Sequence, residues 1–135
     1  MRIVLDTNVL VSALLKPGSK PARILRLVLQ GEIDVVTSEA ILSEYTEVLS
    51  RPKFHLDPQL VQTILEILRS RSIHAPALPL SLDLPDGQDE AFLEAALAAG
   101  ADALVTGDKN HFPRGLCRGQ KVMSPDEFLR ELPGA

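Results

Sequence analysis

Five short stretches rich in Val, Ile and Leu recur along this chain, most of them separated by segments of helical periodicity, and that alternation leaves few folds open. The strand candidates are Ile3 to Asp6, Ile33 to Thr37, Ile73 to Ala75, Ala103 to Thr106 and Lys121 to Met123. All but the third are bounded by polar or turn residues. Helices fit around them at Asn8 to Leu15, Ala22 to Gln30, Glu39 to Ser50, Pro58 to Ser72, Gln88 to Ala99 and Pro125 to Leu132. Strands alternating with helices predict an α/β fold whose sheet is mostly parallel and covered on both sides. The helix ends are signalled chemically. Asp57-Pro58 offers an N-cap followed by proline at the first helical position, Gly100 follows a helix end, and Ser124-Pro125-Asp126-Glu127 has capping-box spacing. Pro76 to Asp86, with Pro76, Pro79 and Pro85, reads as an ordered, non-helical loop.

A length of 135 residues suits one domain, taken here as 1–135, with a real core. Apolar residues make up 45% and charged residues 24%, the balance of a folded rather than a disordered chain. No apolar run reaches the roughly 18 to 20 residues that span a bilayer, and the first residues lack the pattern of a secretory leader, so the expectation is a cytoplasmic protein without a membrane partner. Cys117 has no second cysteine for a disulfide or a zinc cluster and reads as an incidental thiol. The net charge of −4 argues against a protein that coats nucleic acid. Its distribution is uneven, however. Thr7 to Gly31 holds no acid but carries Lys16, Lys20, Arg23 and Arg26, and Lys109 to Pro125 holds none but carries Lys109, Arg114, Arg118 and Lys121. Each segment is either a solvated face or a guide for phosphates.

Four carboxylates stand out. Asp6 and Asp108 each follow an apolar strand, and in a parallel sheet such acids share the edge where ligands bind. Capping of the next helix is the rival explanation for Asp6, although Thr7 would cap equally well. Glu44 lies at the edge of the helical stripe Ile41, Leu42, Tyr45, Val48 and Leu49, either at the core boundary or snorkelling past it. Asp89 falls in a helix's first turn, where the dipole alone favours an acid, as it does for Asp83, Asp86 and Glu90. Clustered carboxylates repel unless a cation compensates them, and hard oxygen ligands suit Mg²⁺ or Mn²⁺ better than zinc. Of His55, His74 and His111, only His111 is placed to lean over such a site. Carboxylates around divalent ions suit phosphodiester hydrolysis, in which the ions lower the pKa of water and neutralise the attacking and leaving oxygens. The positive charge then sits at the reaction centre, and basic segments need only guide flanking phosphates.

With these residues in place the chain resembles the PIN-domain nucleases, and within them the small VapC-type toxins of toxin–antitoxin pairs. The likeness runs almost end to end. It rests on Val4-Leu5-Asp6-Thr7-Asn8-Val9-Leu10, on Ser38 to Tyr45, on Asp89 ahead of Phe92-Leu93-Glu94-Ala95-Ala96, and on Ala101 to Asp108. The resemblance implies that Asp6, Glu44, Asp89 and Asp108 form the catalytic, metal-binding set, with Asn8 and Thr106 as polar supports. It also implies a single PIN-like domain in three α/β/α layers with a five-stranded parallel sheet, Mg²⁺ or Mn²⁺ dependence, RNA cleavage, homodimerisation and a cognate antitoxin. Lys16, Lys20, Lys109, Arg114 and Arg118 are the candidate RNA contacts. One departure is that close relatives often carry a further acid after the Gly-Asp pair, where this chain has Asn110 and His111. The expectation is therefore one well-held ion and a second bound weakly or only with substrate.

Other classes fit less well. A haloacid-dehalogenase-like phosphatase needs a second Asp where Asn8 stands, and a receiver-type phospho-acceptor needs an acidic pair after the first strand, whereas residues 7 to 31 hold no acid. A non-catalytic PIN scaffold that binds RNA or a protein partner is the remaining alternative, against which the presence of all four acids speaks.

Overall fold

In the computed structural model, which describes residues 1–77 and 80–133, consecutive rather than alternate residues are buried along β1 (Arg2–Leu5). Ile3, Val4 and Leu5 are each 0% exposed. Successive side chains on a strand point to opposite faces, so β1 is covered on both. The same holds for β4 (Ala103–Val105). With β2 (Asp34–Thr37), β3 (Ile73–His74) and β5 (Val122–Met123) these strands form one sheet in the order β3-β2-β1-β4-β5, and every neighbouring pair is parallel.

Six helices surround it: α1 (Thr7–Leu15), α2 (Lys20–Leu29), α3 (Glu39–Leu49), α4 (Pro58–Arg71), α5 (Glu90–Ala99) and α6 (Pro125–Glu131). Helix α5 packs on β1, β2 and β4, α4 on β2, and α6 on β4 and β5. Helix α1 packs on α2 and α2 on α6, while α3 packs on α4 and α5. The architecture is the expected three-layer α/β/α arrangement around a five-stranded parallel sheet. No helix among the described residues is long and apolar enough to cross a membrane.

Most boundaries follow from caps. The Ser38 side chain accepts from Ile41 N, Asp57 accepts from Gln59 N ahead of Pro58, and Ser124 and Glu127 form a reciprocal capping box. Gly100 ends α5 at φ 63°, a left-handed conformation that costs glycine little. Three starts differ from the sequence expectation. Helix α1 begins one residue early, because Asp6 itself is the cap and accepts from Thr7 N at 2.8 Å. Helix α2 begins at Lys20, because Ser19 caps it and Pro21 is tolerated in the first turn. Helix α5 begins at Glu90, because a 3₁₀ turn over Gly87–Asp89, capped by Asp86, precedes it. In the proline loop from Pro76 to Asp86 the described residues are non-helical and anchored by buried Leu82 and Leu84; Leu78 and Pro79 lie outside the described residues. The last two positions of the expected domain, Gly134 and Ala135, lie outside them too.

One buried hydrogen bond joins the helical layer to the strand that leads into the cleft. Tyr45 of α3 is 0% exposed, its ring lies against Phe92 of α5, and its hydroxyl donates to the Leu5 carbonyl at 2.6 Å. Tyr45→Phe keeps the ring but leaves that carbonyl one buried donor short. It should destabilise the protein by about 1–3 kcal/mol in urea denaturation, with the slope of the transition unchanged.

Candidate functional site

The chain steps from β1 out to β3 on one side of the sheet and then returns to place β4 on the other side of β1. The connections therefore diverge between β1 and β4, and the crevice beyond their carboxyl ends is where an open α/β sheet binds ligands. Asp6 is the first residue past β1, and Thr106 is the first past β4. Asp6 N donates to the Val105 carbonyl at 2.9 Å, which extends the pairing one step beyond the strands and brings the two loops side by side.

Asp6 is 4% exposed and both of its oxygens are engaged. Oδ1 accepts from Thr7 N, and Oδ2 accepts from Thr106 Oγ1 at 2.8 Å. Capping and site duty are thus held by one side chain. Thr106 Oγ1 also accepts from Asp108 N at 3.1 Å, so it links the two strand-end acids. Asn8 Oδ1 accepts from Gly107 N at 2.9 Å. A Cβ on residue 107 would lie 3.2 Å from that oxygen, so a glycine is what permits the approach. Asn8 and Thr106 thus each bond from one strand end to the other.

Asp89 is 9% exposed, and its Oδ2 is sealed from solvent without a hydrogen-bond partner. Asp89 does stand at the N-terminus of α5, where the helix dipole favours an acid, but its side chain makes no capping bond and Asp86 holds the preceding turn. Glu44 and Asp86 share a cleft of about 350 Å³ with Asp6, Asp89 and His111. Asp108 does not line that cleft. It stands half-exposed behind His111, with its Oδ2 3.4 Å from Nε2. His111 in turn places Nδ1 3.6 Å from Asp89 Oδ2. Asp6, Asp89 and His111 each present an atom within 4.8 Å of the other two.

The electrostatics follow from this crowding. Burial raises the Asp6 carboxyl, against the lowering effect of its hydrogen bonds from Thr106 and Thr7. Burial also raises Glu44, with repulsion from Glu47 next, partly offset by Arg51. Asp89 is pushed up to about 6, first by burial and then by the charge of Asp6. An orphaned carboxylate oxygen, an orphaned Thr7 hydroxyl and mutually repelling acids fit a small divalent cation held by oxygen donors.

Besides Asp86, two groups in the cleft lie outside the expected acidic set, although His111 is expected to lean over it. His111 is brought in by a 3₁₀ turn over Lys109–His111, and Arg51 lies at the rim, held by Glu47. Arg51 lies two residues beyond the end of α3, in extended backbone that leads into the 3₁₀ turn Pro52–Phe54, so no helical period of the sequence announces it. The basic candidates divide. Lys20 is paired with Asp126 and Lys109 with Glu127, while Arg118 donates to the Ser81 carbonyl at 3.0 Å. Among the described residues Lys16 and Arg114 have no side-chain partner, and Arg114 and Lys109 line a groove of about 930 Å³.

The chain belongs to the PIN-domain family, whose model matches residues 2–110, and the parallel sheet with acids gathered at its switch point is consistent with that membership. Nuclease activity is typical of that family. The chain is 30% identical over 143 residues to an uncharacterized protein of Methanocaldococcus jannaschii, covering 98% of this chain and 92% of that protein. Its fold is similar to that of VapBC2 from Rickettsia felis, solved with a DNA fragment from its promoter, at TM-score 0.56 and 21% identity over 92% of this chain and 98% of that one. FitAB bound to the IR36 DNA fragment is similar at TM-score 0.58 and 18% identity, over 91% and 94% of the two chains. FitAcB from Neisseria gonorrhoeae is similar at TM-score 0.56 and 18% identity, over 91% and 97%.

The raised Asp89 carboxyl makes the metal-free protein pH-sensitive. Its ordinary value is 3.8 and its folded value about 6, so on raising the pH the unfolded chain ionises first. The stability it contributes is complete below the unfolded value and is lost as pH rises through the folded one. In chelator, Asp89→Asn should therefore be more stable than wild type at pH 8, by on the order of 1 kcal/mol, and nearly equal to it at pH 4. Urea denaturation at the two pH values measures this, and a variant no more stable at pH 8 would contradict the account.

Proposed function

We propose that this chain is a divalent-metal-dependent endoribonuclease, the toxin of a toxin–antitoxin pair. The observation that carries the reading is the buried Asp89 Oδ2, without a partner, close to Asp6 at the switch point of the sheet. Desolvating a carboxylate oxygen and leaving it unpaired is costly unless a cation is meant to meet it. Asp6, Glu44, Asp89 and Asp108 form the acidic set, with Asp6 and Asp89 innermost. Mg²⁺ or Mn²⁺ held there supplies the activated water and the charge neutralisation that phosphodiester hydrolysis needs. Asp6 is fixed by Thr106 and by the first amide of α1, so it presents its charge at a set position. Asn8 holds the β4 loop against α1 and keeps Asp108 in register with it.

Arg114, without a side-chain partner in the groove it lines with Lys109, offers positive charge for the flanking phosphates of a single strand, whereas Arg51 and Lys109 are already paired with Glu47 and Glu127. Complexes such as VapBC2 and FitAB support a cognate antitoxin as the protein partner. A homodimer in the cytoplasm is the assembly that goes with this reading.

Purified protein should cleave RNA with Mg²⁺ or Mn²⁺ and stop when chelator is added. Asp6→Asn should fold normally and lose at least about a hundredfold in rate, the effect of about 3 kcal/mol withdrawn from the transition state. Equal cleavage by wild type and this variant would point to a contaminating nuclease, and RNA binding without cleavage by wild type would favour a scaffold. Removing Arg114 should weaken RNA binding across sequences and reduce the slope of log affinity against log salt by about 1. An unchanged affinity and slope at low salt would exclude it from the RNA path.

A further inference from the structure

We propose that His111 is a nitrogen ligand of this cation site, oriented by Asp108, and that it turns the site's preference from Mg²⁺ toward Mn²⁺ and other first-row transition ions. The inference rests on the metal-site reading above and adds to it a donor of a different kind. The His111 side chain is 45% exposed, yet Nδ1 turns inward, where it is sealed from solvent and has no hydrogen-bond partner. Its 3.6 Å separation from Asp89 Oδ2 is too long for a hydrogen bond. That distance suits two ligands of one ion, since bonds of about 2.1 Å allow ligand atoms to lie up to about 4.2 Å apart. Asp6 supplies the third atom of the group.

Asp108 sets the ring in two ways. Its Oδ1 accepts from Asn110 N at 3.0 Å and so caps the short turn that carries His111, which the buried Phe112 anchors just beyond. Its Oδ2 lies 3.4 Å from Nε2. A cation bound at Nδ1 would leave the ring proton on Nε2, facing that carboxylate, the carboxylate–histidine–metal arrangement that fixes tautomer and aim. Asp108 is thereby a positioning residue, acting through His111. An imidazole strengthens the hold on transition ions along the Mn²⁺ to Ni²⁺ series while adding little for Mg²⁺, which favours oxygen donors throughout.

The test uses the whole chain, with Mn²⁺ and Mg²⁺ as probes, by calorimetric titration and by pulsed electron paramagnetic resonance of the Mn²⁺-loaded protein. Wild type should show nitrogen coupling to bound Mn²⁺. His111→Ala, with an unchanged circular dichroism spectrum, should lose that coupling and about tenfold or more in Mn²⁺ affinity, while Mg²⁺ affinity moves by no more than about threefold. Asp108→Asn should keep the coupling and bind Mn²⁺ about tenfold more weakly. Mn²⁺ bound by wild type without nitrogen coupling, or equal losses for both ions in His111→Ala, would overturn the proposal and leave the metal site standing. Saturable binding of neither ion to wild type would overturn both.

Discussion

The parallel pairing of β1 with β4 is the constraint on which the cleft depends. Ile3, Val4 and Leu5 lie in register with Ala103, Leu104 and Val105, and these six residues are almost wholly buried. That register decides that the residues following each strand emerge side by side. A slip of one residue would turn every side chain to the opposite face, and both faces here are packed. The hydrophobic core therefore fixes the spacing of the polar groups above it. The hydroxyl of Thr106 and the amide of Asn8 complete that work at short range, each bridging from one strand end to the other.

Charge is concentrated where the backbone offers it least solvation. Asp6 and Asp89 are buried, Glu44 lies on the same cleft, and Arg51 at the rim is committed to Glu47. The first amide of α1 and the Thr106 hydroxyl satisfy Asp6, and Asp86 takes the capping duty at the turn before α5, so Asp89 makes no capping bond. Local strain between like charges is kept because the surrounding packing over-determines it, a common arrangement at functional sites. The exposed salt bridges elsewhere, Lys121 to Glu131 among them, contribute little by comparison.

The layered fold was legible because short apolar runs and helical stripes have different periods, and most caps are short-range chemistry. The place of Asp6 at a strand end was legible for the same reason, as an acid directly after such a run. Asp108, by contrast, three residues past the end of β4, stands behind His111 instead of in the cleft. Asp89 was ambiguous, since a helix's first turn attracts acids whatever their use, and the burial of an unpartnered oxygen beside Asp6 is visible only in three dimensions. His111 is aimed by a 3₁₀ turn that follows no long period, so its approach to Asp89 could be suspected but not located. The basic segments were the least legible part. Lys20 meets Asp126 and Lys109 meets Glu127 on other elements, and no local pattern announces such pairings.

The register of β1 against β4 also has a consequence in time. The two strands are separated by nearly the whole chain, so their contact is among the slowest to form, because the long connection must be ordered before the pairing returns any stability. Ala103 to His111 belong to the last third of the polypeptide, and until they dock the acid of the first strand has no opposing loop. During synthesis from the N-terminus, a partly made chain can carry Asp6, Glu44 and even Asp89 without an assembled cleft. The cleft is therefore assembled late and all together, and an emerging chain holds none until its last third has been made.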